Sequence, residues 1–328
     1  MTLAGHSRTE LDRRPAVLIG LIGEGVTPSL TPPMHEFEGA RHGMHYVYRT
    51  IDLAPAEGTA EYLETLLRAA QRLGFDGLNI THPVKQAVLP LLDDLSDSAR
   101  AVGAVNTVVF TDAGTIGHNT DVTGFGAALT DAFGTEPLGR VVLLGTGGAG
   151  SAVATALAQR PIDELVLVDQ VPDRAAALAA QVSALGGAAA RAAALVDLPV
   201  ELAGADLVVN ATPIGMAAHP GTPFDVALLP SGSRVADIVY RPADTALLAA
   251  SRARGIRTMS GLGMAMHQAA DAFEIFTGER ADRTAMLADL HDLVAAEAAT
   301  TPATPETARP ETAPPETAPH APERGENR

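Results

Sequence analysis

Gly145, Gly147 and Gly150 stand at the GxGxxG spacing in VVLLGTGGAG, after four aliphatic residues and before a helical stretch from Ser151 to Gln159. A strand, a tight turn and a helix in that order suit a dinucleotide. Gly145 lets the chain turn, Gly147 lets backbone approach a pyrophosphate, and Gly150 lets helix and strand pack closely. Leu165 to Val168 forms a second apolar run and ends in Asp169, about 20 residues past the glycines, where a carboxylate for the ribose hydroxyls belongs. The competing reading is a glycine-rich turn followed by a solvated aspartate.

Lys85 is the other residue whose setting suggests chemistry. Phe75 to Ile80 reads as a strand, and Pro83 fits the first position of a following helix, which puts Lys85 in its first turn. At the positive end of a helix dipole, partly desolvated, an ammonium is disfavoured against the neutral amine, so Lys85 is biased towards acting as a base. A surface lysine with its stem lying along apolar surface is the alternative. Asp121, within GHNTDVTG, is placed to cap a helix ending near Phe133 and Gly134. Histidines 35, 42, 45, 82, 118, 219 and 267 show no HExxH or other metal-binding spacing, so they read as structural and no metal is expected.

The elements that must position these residues follow from the pattern of the chain. At 328 residues, 46% hydrophobic and 19% charged, it can form two moderate domains around real cores. A net charge of −16 argues against nucleic acid, whose phosphates would be repelled. No cysteine is present, which excludes disulfides and thiolate metal sites. The uncharged run between Arg140 and Arg160 has the length of a membrane span, but four glycines sit at its centre and strand-like residues give way to helix-like ones across them. No membrane segment is expected. Residues 1–14 mix Glu10, Asp12, Arg13 and Arg14 without an apolar stretch, so they read as a flexible arm and not as a signal peptide, and a cytoplasmic protein is the default.

Ala16 to Leu21 reads as a strand running into GEGVTPSLTPPMHE, a loop rich in Gly, Pro, Ser and Thr and a candidate binding segment. Tyr46 to Leu53 alternates as a strand does. Thr59 then caps a helix with Leu63, Leu66, Leu67, Ala70 and Leu73 on one face, closed by Gly74. From Arg140 strands and helices alternate: strands at 141–144, 165–168, 207–210, 235–240 and 256–259, helices at 151–159 and 173–185, then helices at 264–276 and 283–297. Residues 188–196, AAARAAALV, are ambiguous, since alanine favours helix while the alternation calls for a strand. The expected fold is α/β, a doubly wound parallel sheet of Rossmann type joined to an α/β substrate domain. Beyond Ala299 the chain turns to Pro, Thr, Glu and Ala, holds seven of the 23 prolines and, from Thr301, no Leu, Ile, Val or Phe. Such a tail cannot bury enough apolar surface to order itself.

With NITHPVKQ, GAVNTV, HNTD, GTGGAG, NATPIGM and GLGMAMHQA in that order, residues 16–297 resemble the shikimate dehydrogenase superfamily, and within it the NAD-dependent quinate/shikimate dehydrogenases. The resemblance implies a substrate domain over 15–121 completed by helices at 262–297, a Rossmann NAD-binding domain over 122–261, and a disordered tail over 298–328. It implies a catalytic pair, Lys85 taking the proton of a ring hydroxyl as hydride leaves the same carbon, with Asp121 orienting both. Ser29 and Thr31 match a pair of hydroxyls that hold the substrate carboxylate. Thr81, Asn106 and Gln268 match partners of the ring hydroxyls, and Tyr240 a position near the carboxylate. For Ser29 and Thr31 ordinary turn chemistry, and for Asn106 and Gln268 a structural amide, are the competing readings. The dinucleotide would lie on Gly145, Thr146, Gly147, Gly148, Ala149 and Gly150, with Asp169 and Arg174 at its ribose and Thr212, Pro213, Met216, Val239, Gly261 and Met264 near its nicotinamide.

Two departures from the common pattern refine this. The loop GEGVTPSLTP lacks the asparagine, isoleucine and histidine of the biosynthetic enzymes and has Thr31 in place of their second serine, which resembles the quinate-accepting branch. NADP-using members carry an Asn-Arg-Thr type sequence after the second strand, whereas this chain has VDQVPDR. Asp169 would accept hydrogen bonds from the ribose hydroxyls and repel a 2′-phosphate, which points to NAD, with Arg174 as a guanidinium still within reach of a phosphate. The expected activity is NAD-dependent oxidation of quinate and shikimate to 3-dehydroquinate and 3-dehydroshikimate, by a monomer or homodimer whose only partners are small molecules. The alternatives are a biosynthetic NADP-dependent shikimate dehydrogenase and a catalytically inactive nucleotide-binding regulator; an amino-substituted substrate also stays open.

Overall fold

A computed structural model describes residues 15–54 and 57–300. The first half builds a six-stranded mixed sheet from β1 (Ala16–Gly23), β2 (His45–Asp52), β3 (Gly77–Ile80), β4 (Asp94–Leu95), β5 (Thr107–Thr111) and β6 (Gly114–His118), in the order β2-β1-β3-β5-β6-β4. Strands β2, β1 and β3 run parallel, while β5 pairs antiparallel with both β3 and β6. Helices α1 (Thr31–Arg41), α2 (Ala60–Arg72) and α3 (Asp97–Val102) belong to this half. Thr59 caps α2 by accepting from the Tyr62 N–H, and Leu63, Leu67 and Ala70 are buried as the periodicity requires. Leu73 lies one residue past the helix and is 72% exposed, so it falls off the expected face.

From α4 (Thr120–Phe133) the chain passes into a second sheet: β7 (Arg140–Leu144), α5 (Gly148–Ala158), β8 (Glu164–Val168), α6 (Pro172–Ala184), β9 (Ala190–Ala193), α7 (Leu198–Ala203), β10 (Leu207–Asn210), β11 (Arg234–Asp237), α8 (Ala246–Ala253) and β12 (Arg257–Met259). Its order, β12-β11-β10-β7-β8-β9, is all parallel and reverses direction between β7 and β10. This is the doubly wound arrangement, with its ligand crevice at the switch point beyond the ends of those two strands. Buried on both faces, β7, β8 and β10 read as near-continuous runs of Val and Leu. The ambiguous AAARAAALV settles as β9 because its backbone completes the ladder on β8, an outcome that tertiary pairing decides over alanine's helix preference.

Helices α9 (Gly261–Thr277) and α10 (Arg283–Thr300) return to the first sheet. Leu262, Met266, Ala269, Ala270 and Phe273 of α9, with Met286 and Leu290 of α10, share a core with Val17, Ile19, Leu21, Tyr46 and Tyr48. Helix α4 serves the other sheet: Val122, Phe125, Leu129 and Phe133 pack with Val141, Leu143, Val153 and Leu157. Among the described residues no helix is long and apolar enough to cross a membrane. The expected tail falls outside the described residues from 301 onwards, and α10 runs three residues beyond the expected end at 297.

Several local expectations are corrected. Residues 31–36, expected as the end of a loop from its Gly, Pro, Ser and Thr content, are helical as the first part of α1; Pro32 and Pro33 open that helix, positions that need no donated N–H. No helix begins at Pro83: residues 82–88 make successive turns, so Lys85 is not at a helix N-terminus and the dipole argument for a neutral amine does not apply. Asp121 is not the cap of α4. Asn119 is, accepting from the N–H groups of Asp121 and Val122, which leaves the Asp121 carboxylate for other partners. The strand expected over 235–240 stops at Asp237, with Val239 and Tyr240 in the loop that follows.

Candidate active site

The site starts with a carboxylate. Asp121 occupies the first turn of α4, buried, and its Oδ2 receives a hydrogen bond from Lys85 Nζ at 2.6 Å. Its Oδ1 receives Asn106 Nδ2 at 3.0 Å. Asn106 is held from both ends of its amide: Nδ2 also reaches Thr120 Oγ1, while Oδ1 accepts from the Thr120 N–H and the Thr107 hydroxyl. Behind it, Asn79 donates to Thr107 Oγ1 and to the Asn106 carbonyl, and accepts from the Tyr48 hydroxyl at 2.6 Å. The chain of buried polar groups from Tyr48 to Asp121 is satisfied throughout, which fixes rotamers that an apolar core would leave free. Both amide hydrogens of Asn106 are engaged here, so it meets a ring hydroxyl only by releasing one of these partners.

Asp121 also faces a cavity of about 220 Å³. The same cavity is lined by Thr31 at the start of α1, Tyr240 after β11, Gly261, Met264 and Gln268 of α9, and Ala149 of the glycine loop. Seven residues picked from the sequence thus meet in one space, with Lys85 and Asn106 bonded behind Asp121. Ser29 is adjacent, its hydroxyl accepting from the Thr31 N–H at 3.2 Å. Thr81 lies at the end of β3 and packs against Gly23, where a Cβ would fall 2.3 Å from its methyl; it does not line the cavity. Burial raises the Tyr240 phenol, with the neighbouring Arg241 charge opposing. Leu30, Met34, Ile238, Ala265 and Leu290 complete the lining and were not picked out; apolar wall residues carry no sequence signal that separates them from core.

The glycine loop has the shape its sequence implies. Gly145 takes φ +91°, and a Cβ on it would lie 2.7 Å from the Ala211 carbonyl oxygen. A Cβ on Gly150 would lie 2.1 Å from the Gly145 oxygen, so helix and strand touch through backbone. Around Gly147 and Gly148 the space is open, and Gly147 caps α5 with no side chain over its first N–H groups. This open cradle at a helix N-terminus fits a pyrophosphate. Asp169 stands just past β8, its Oδ2 accepting the N–H and hydroxyl of Thr146 at 2.7 and 2.9 Å and its Oδ1 the Val171 N–H at 2.9 Å. Burial works to raise the Asp169 carboxyl, but these bonds and the charge of Arg174 outweigh it and hold it below its usual value. Arg174 is exposed in the first turn of α6.

The loop after β10 is built by one amide. Asn210 Oδ1 accepts the N–H and hydroxyl of Thr212, and its Nδ2 donates to the Ile214 carbonyl and to Asp237 Oδ1. Thr212, Pro213 and exposed Met216 are thereby carried out beyond the sheet, near the cradle but outside the cavity. Val239 is buried. Gly261 starts α9 against the backbone of Ile238 and Val239, where a Cβ would find the Ile238 oxygen at 2.3 Å. Among the described residues no cluster of His, Asp or Glu could hold a metal ion.

Comparisons with known proteins give the family. Residues 21–108 match the family described as "Shikimate dehydrogenase substrate binding domain", and residues 261–290 match "Shikimate 5'-dehydrogenase C-terminal domain". A shikimate dehydrogenase (NADP(+)) of Pseudarthrobacter chlorophenolicus is 52% identical over 87% of this chain and 98% of its own length. A quinate/shikimate dehydrogenase (NAD(+)) of Corynebacterium glutamicum is 49% identical over 83% of this chain and 96% of its own. The solved quinate dehydrogenase from Corynebacterium glutamicum in complex with NAD superposes with a TM-score of 0.80 at 48% identity, covering 85% of this chain and 100% of that one. With two matched domains and relatives aligned over nearly their whole length, the chain belongs to the shikimate dehydrogenase family.

Proposed function

We propose that the protein is an NAD-dependent quinate/shikimate dehydrogenase, interconverting quinate or shikimate with 3-dehydroquinate or 3-dehydroshikimate. Family membership makes it a pyridine-nucleotide oxidoreductase. The observation that carries the reading is the single cavity whose wall includes both Asp121, bonded to Lys85, and Ala149 of the dinucleotide cradle. A nicotinamide bound from that cradle supplies the hydride acceptor. Lys85 takes the proton of the ring hydroxyl, Asp121 holds the amine in place 2.6 Å away, and Asn106 holds Asp121. Losing hydride from an alkoxide-like carbon is far easier than from a neutral alcohol, and a positioned base contributes about 10²–10⁴-fold. Ser29 and Thr31 bind the substrate carboxylate, and Gln268 and Tyr240, which line the cavity, take the remaining polar groups. For function the chain divides into 15–121 with 262–297 for the acid and 122–261 for the dinucleotide, α4 and α9 crossing between them.

NAD is favoured because a carboxylate held ionised at Asp169 repels a 2′-phosphate. A specific observation favours the second reading, an NADP-dependent shikimate dehydrogenase: the 52%-identical relative bears that name, and Arg174 is exposed five residues after Asp169. Initial rates with quinate and shikimate, each crossed with NAD and NADP, separate the two. The proposal expects the larger kcat/KM with NAD and turnover of both acids. A larger value with NADP and no turnover of quinate establishes the second.

A further inference from the structure

The loop that carries Ser29 and Thr31 is held from two directions. Asp52, at the end of β2, accepts the N–H of Gly25 at 2.7 Å and both the N–H and the hydroxyl of Thr27, at 3.1 and 2.6 Å. That anchors the first half of the loop to its own sheet. The second half meets a residue from the far side of the cavity: Arg241 Nη1 donates to the Pro28 carbonyl at 3.1 Å. The same guanidinium forks onto Glu297 of α10, Nε to Oε2 at 2.7 Å and Nη2 to Oε1. One planar group thus ties the loop before α1, the segment after β11 and the last helix, which lie 213 and 56 positions apart from it.

Stability alone does not account for this arrangement. The Arg241 and Glu297 side chains are 28% and 35% exposed, and pairs of that exposure contribute little to folding. What a bidentate fork does supply is orientation, since the carboxylate fixes the guanidinium plane and with it the two directions in which the third nitrogen can donate. One of its hydrogens is given to the Pro28 carbonyl, next to Ser29. Arg241 also follows Tyr240, which lines the cavity.

The geometry points to Arg241, held by Glu297, as a positioning residue for the acid-binding loop: it sets where Ser29 and Thr31 stand relative to Tyr240 and the cavity. This rests on the reading of Ser29 and Thr31 as the carboxylate's partners. Arg241→Gln and Glu297→Gln are to be compared with Ser29→Ala by full Michaelis kinetics, varying acid and dinucleotide separately, with thermal unfolding of each. Each of the first two should raise KM for the acid about 5- to 30-fold, with kcat and the KM for dinucleotide within about twofold. The double variant should be no worse than the more affected single one, because both break one fork. Arg241→Lys should recover only part, having a charge without the fork.

An acid KM unmoved in the folded variants overturns the role of Arg241, as does a parallel rise in both KM values, which marks a general loss of structure. Should Arg241→Gln fail to fold, Glu297→Gln decides by the same criteria. If Ser29→Ala raises the acid KM and the fork variants do not, the positioning role fails alone. If Ser29→Ala leaves it unchanged, the carboxylate reading fails, and the inference with it.

Discussion

Asp121 Oδ2 lies 2.6 Å from Lys85 Nζ, between residues 36 positions apart. One comes from a run of turns after β3 and the other from the first turn of α4, so the pair joins the end of the first sheet to the helix that packs on the second. Asn106 holds the other carboxylate oxygen at 3.0 Å. The two bonds act on different oxygens, and each can be removed while the other keeps the carboxylate in place.

Replacing the amine is therefore the cleaner experiment. Lys85→Met keeps the length and apolar character of the stem and leaves Asp121 bonded to Asn106. The fold should persist, with kcat lowered about 10²–10⁴-fold and the KM for dinucleotide little changed. Steady-state kinetics beside thermal unfolding checks this. Normal turnover by Lys85→Met would put the proton transfer elsewhere.

Coenzyme choice should answer to Asp169 and, more weakly, to Thr146. Asp169→Asn keeps an acceptor oxygen for the ribose but loses the charge facing a 2′-phosphate, so the ratio of kcat/KM with NAD to that with NADP should fall by about tenfold or more. Thr146→Val deletes the hydroxyl that donates to Asp169 Oδ2 at 2.9 Å and keeps the N–H at 2.7 Å. Its effect should run the same way and be smaller. Measuring both ratios at one pH and ionic strength tests the order.

How much of this was legible in the sequence depended on whether a residue's role was local. The glycine cradle was, because Gly145 and Gly150 answer to backbone contacts within one strand-turn-helix unit. The central strands β7, β8 and β10 were, because burial on both faces leaves aliphatic runs. Lys85 and Asp121 could be named, but their settings were misjudged: a proline suggested a helix where the chain makes turns, and the capping position fell to Asn119 two residues earlier. The polar chain behind Asp121 was invisible, since Tyr48, Asn79 and Thr107 meet only when β2, β3 and β5 are assembled. The fork on Arg241 depends on Glu297 in the last helix, a pairing that local spacing does not reveal.

At the opposite end of the second sheet, acid should loosen the fold. Glu164 accepts from Arg140 and Arg191, whose bonds hold its carboxyl below the usual value. Glu201 is lowered chiefly by Arg191, with burial opposing and Arg140 assisting. A carboxylate depressed in the folded state contributes stability above its unfolded value, near pH ~4.3, and loses it as pH falls through the folded one, because the unfolded chain takes up the proton first. The melting temperature should accordingly drop below about pH 5, and Glu164→Gln should drop less steeply while starting about 0.2–1 kcal/mol less stable at neutral pH. Calorimetric scans of both proteins across that range isolate the Glu164 contribution. Identical slopes would show that it carries none.

The crossing of α4 and α9 makes the last prediction, since both helices carry site residues. A Cβ on Gly124 would lie 2.8 Å from the Gln268 N and 3.0 Å from its Cα, which are backbone and cannot swing aside. Gly263 similarly faces Ala128 at 3.2 Å. Gly124→Ala gains up to about 1 kcal/mol of helix propensity, against overpacking that costs about 1–3 kcal/mol, so the net change should destabilise. Relief by moving α9 would carry Gln268, Met264 and Gly261 with it, so the KM for the acid should rise as well. Gly126, two residues on, supplies the control: a Cβ there meets nothing within 4 Å, so Gly126→Ala should stabilise by about 0.4–1 kcal/mol with kinetics unchanged. Urea unfolding and Michaelis curves on the two variants test the contrast. If Gly124→Ala proves as stable and as active as Gly126→Ala, the helices do not approach as closely as this crossing requires.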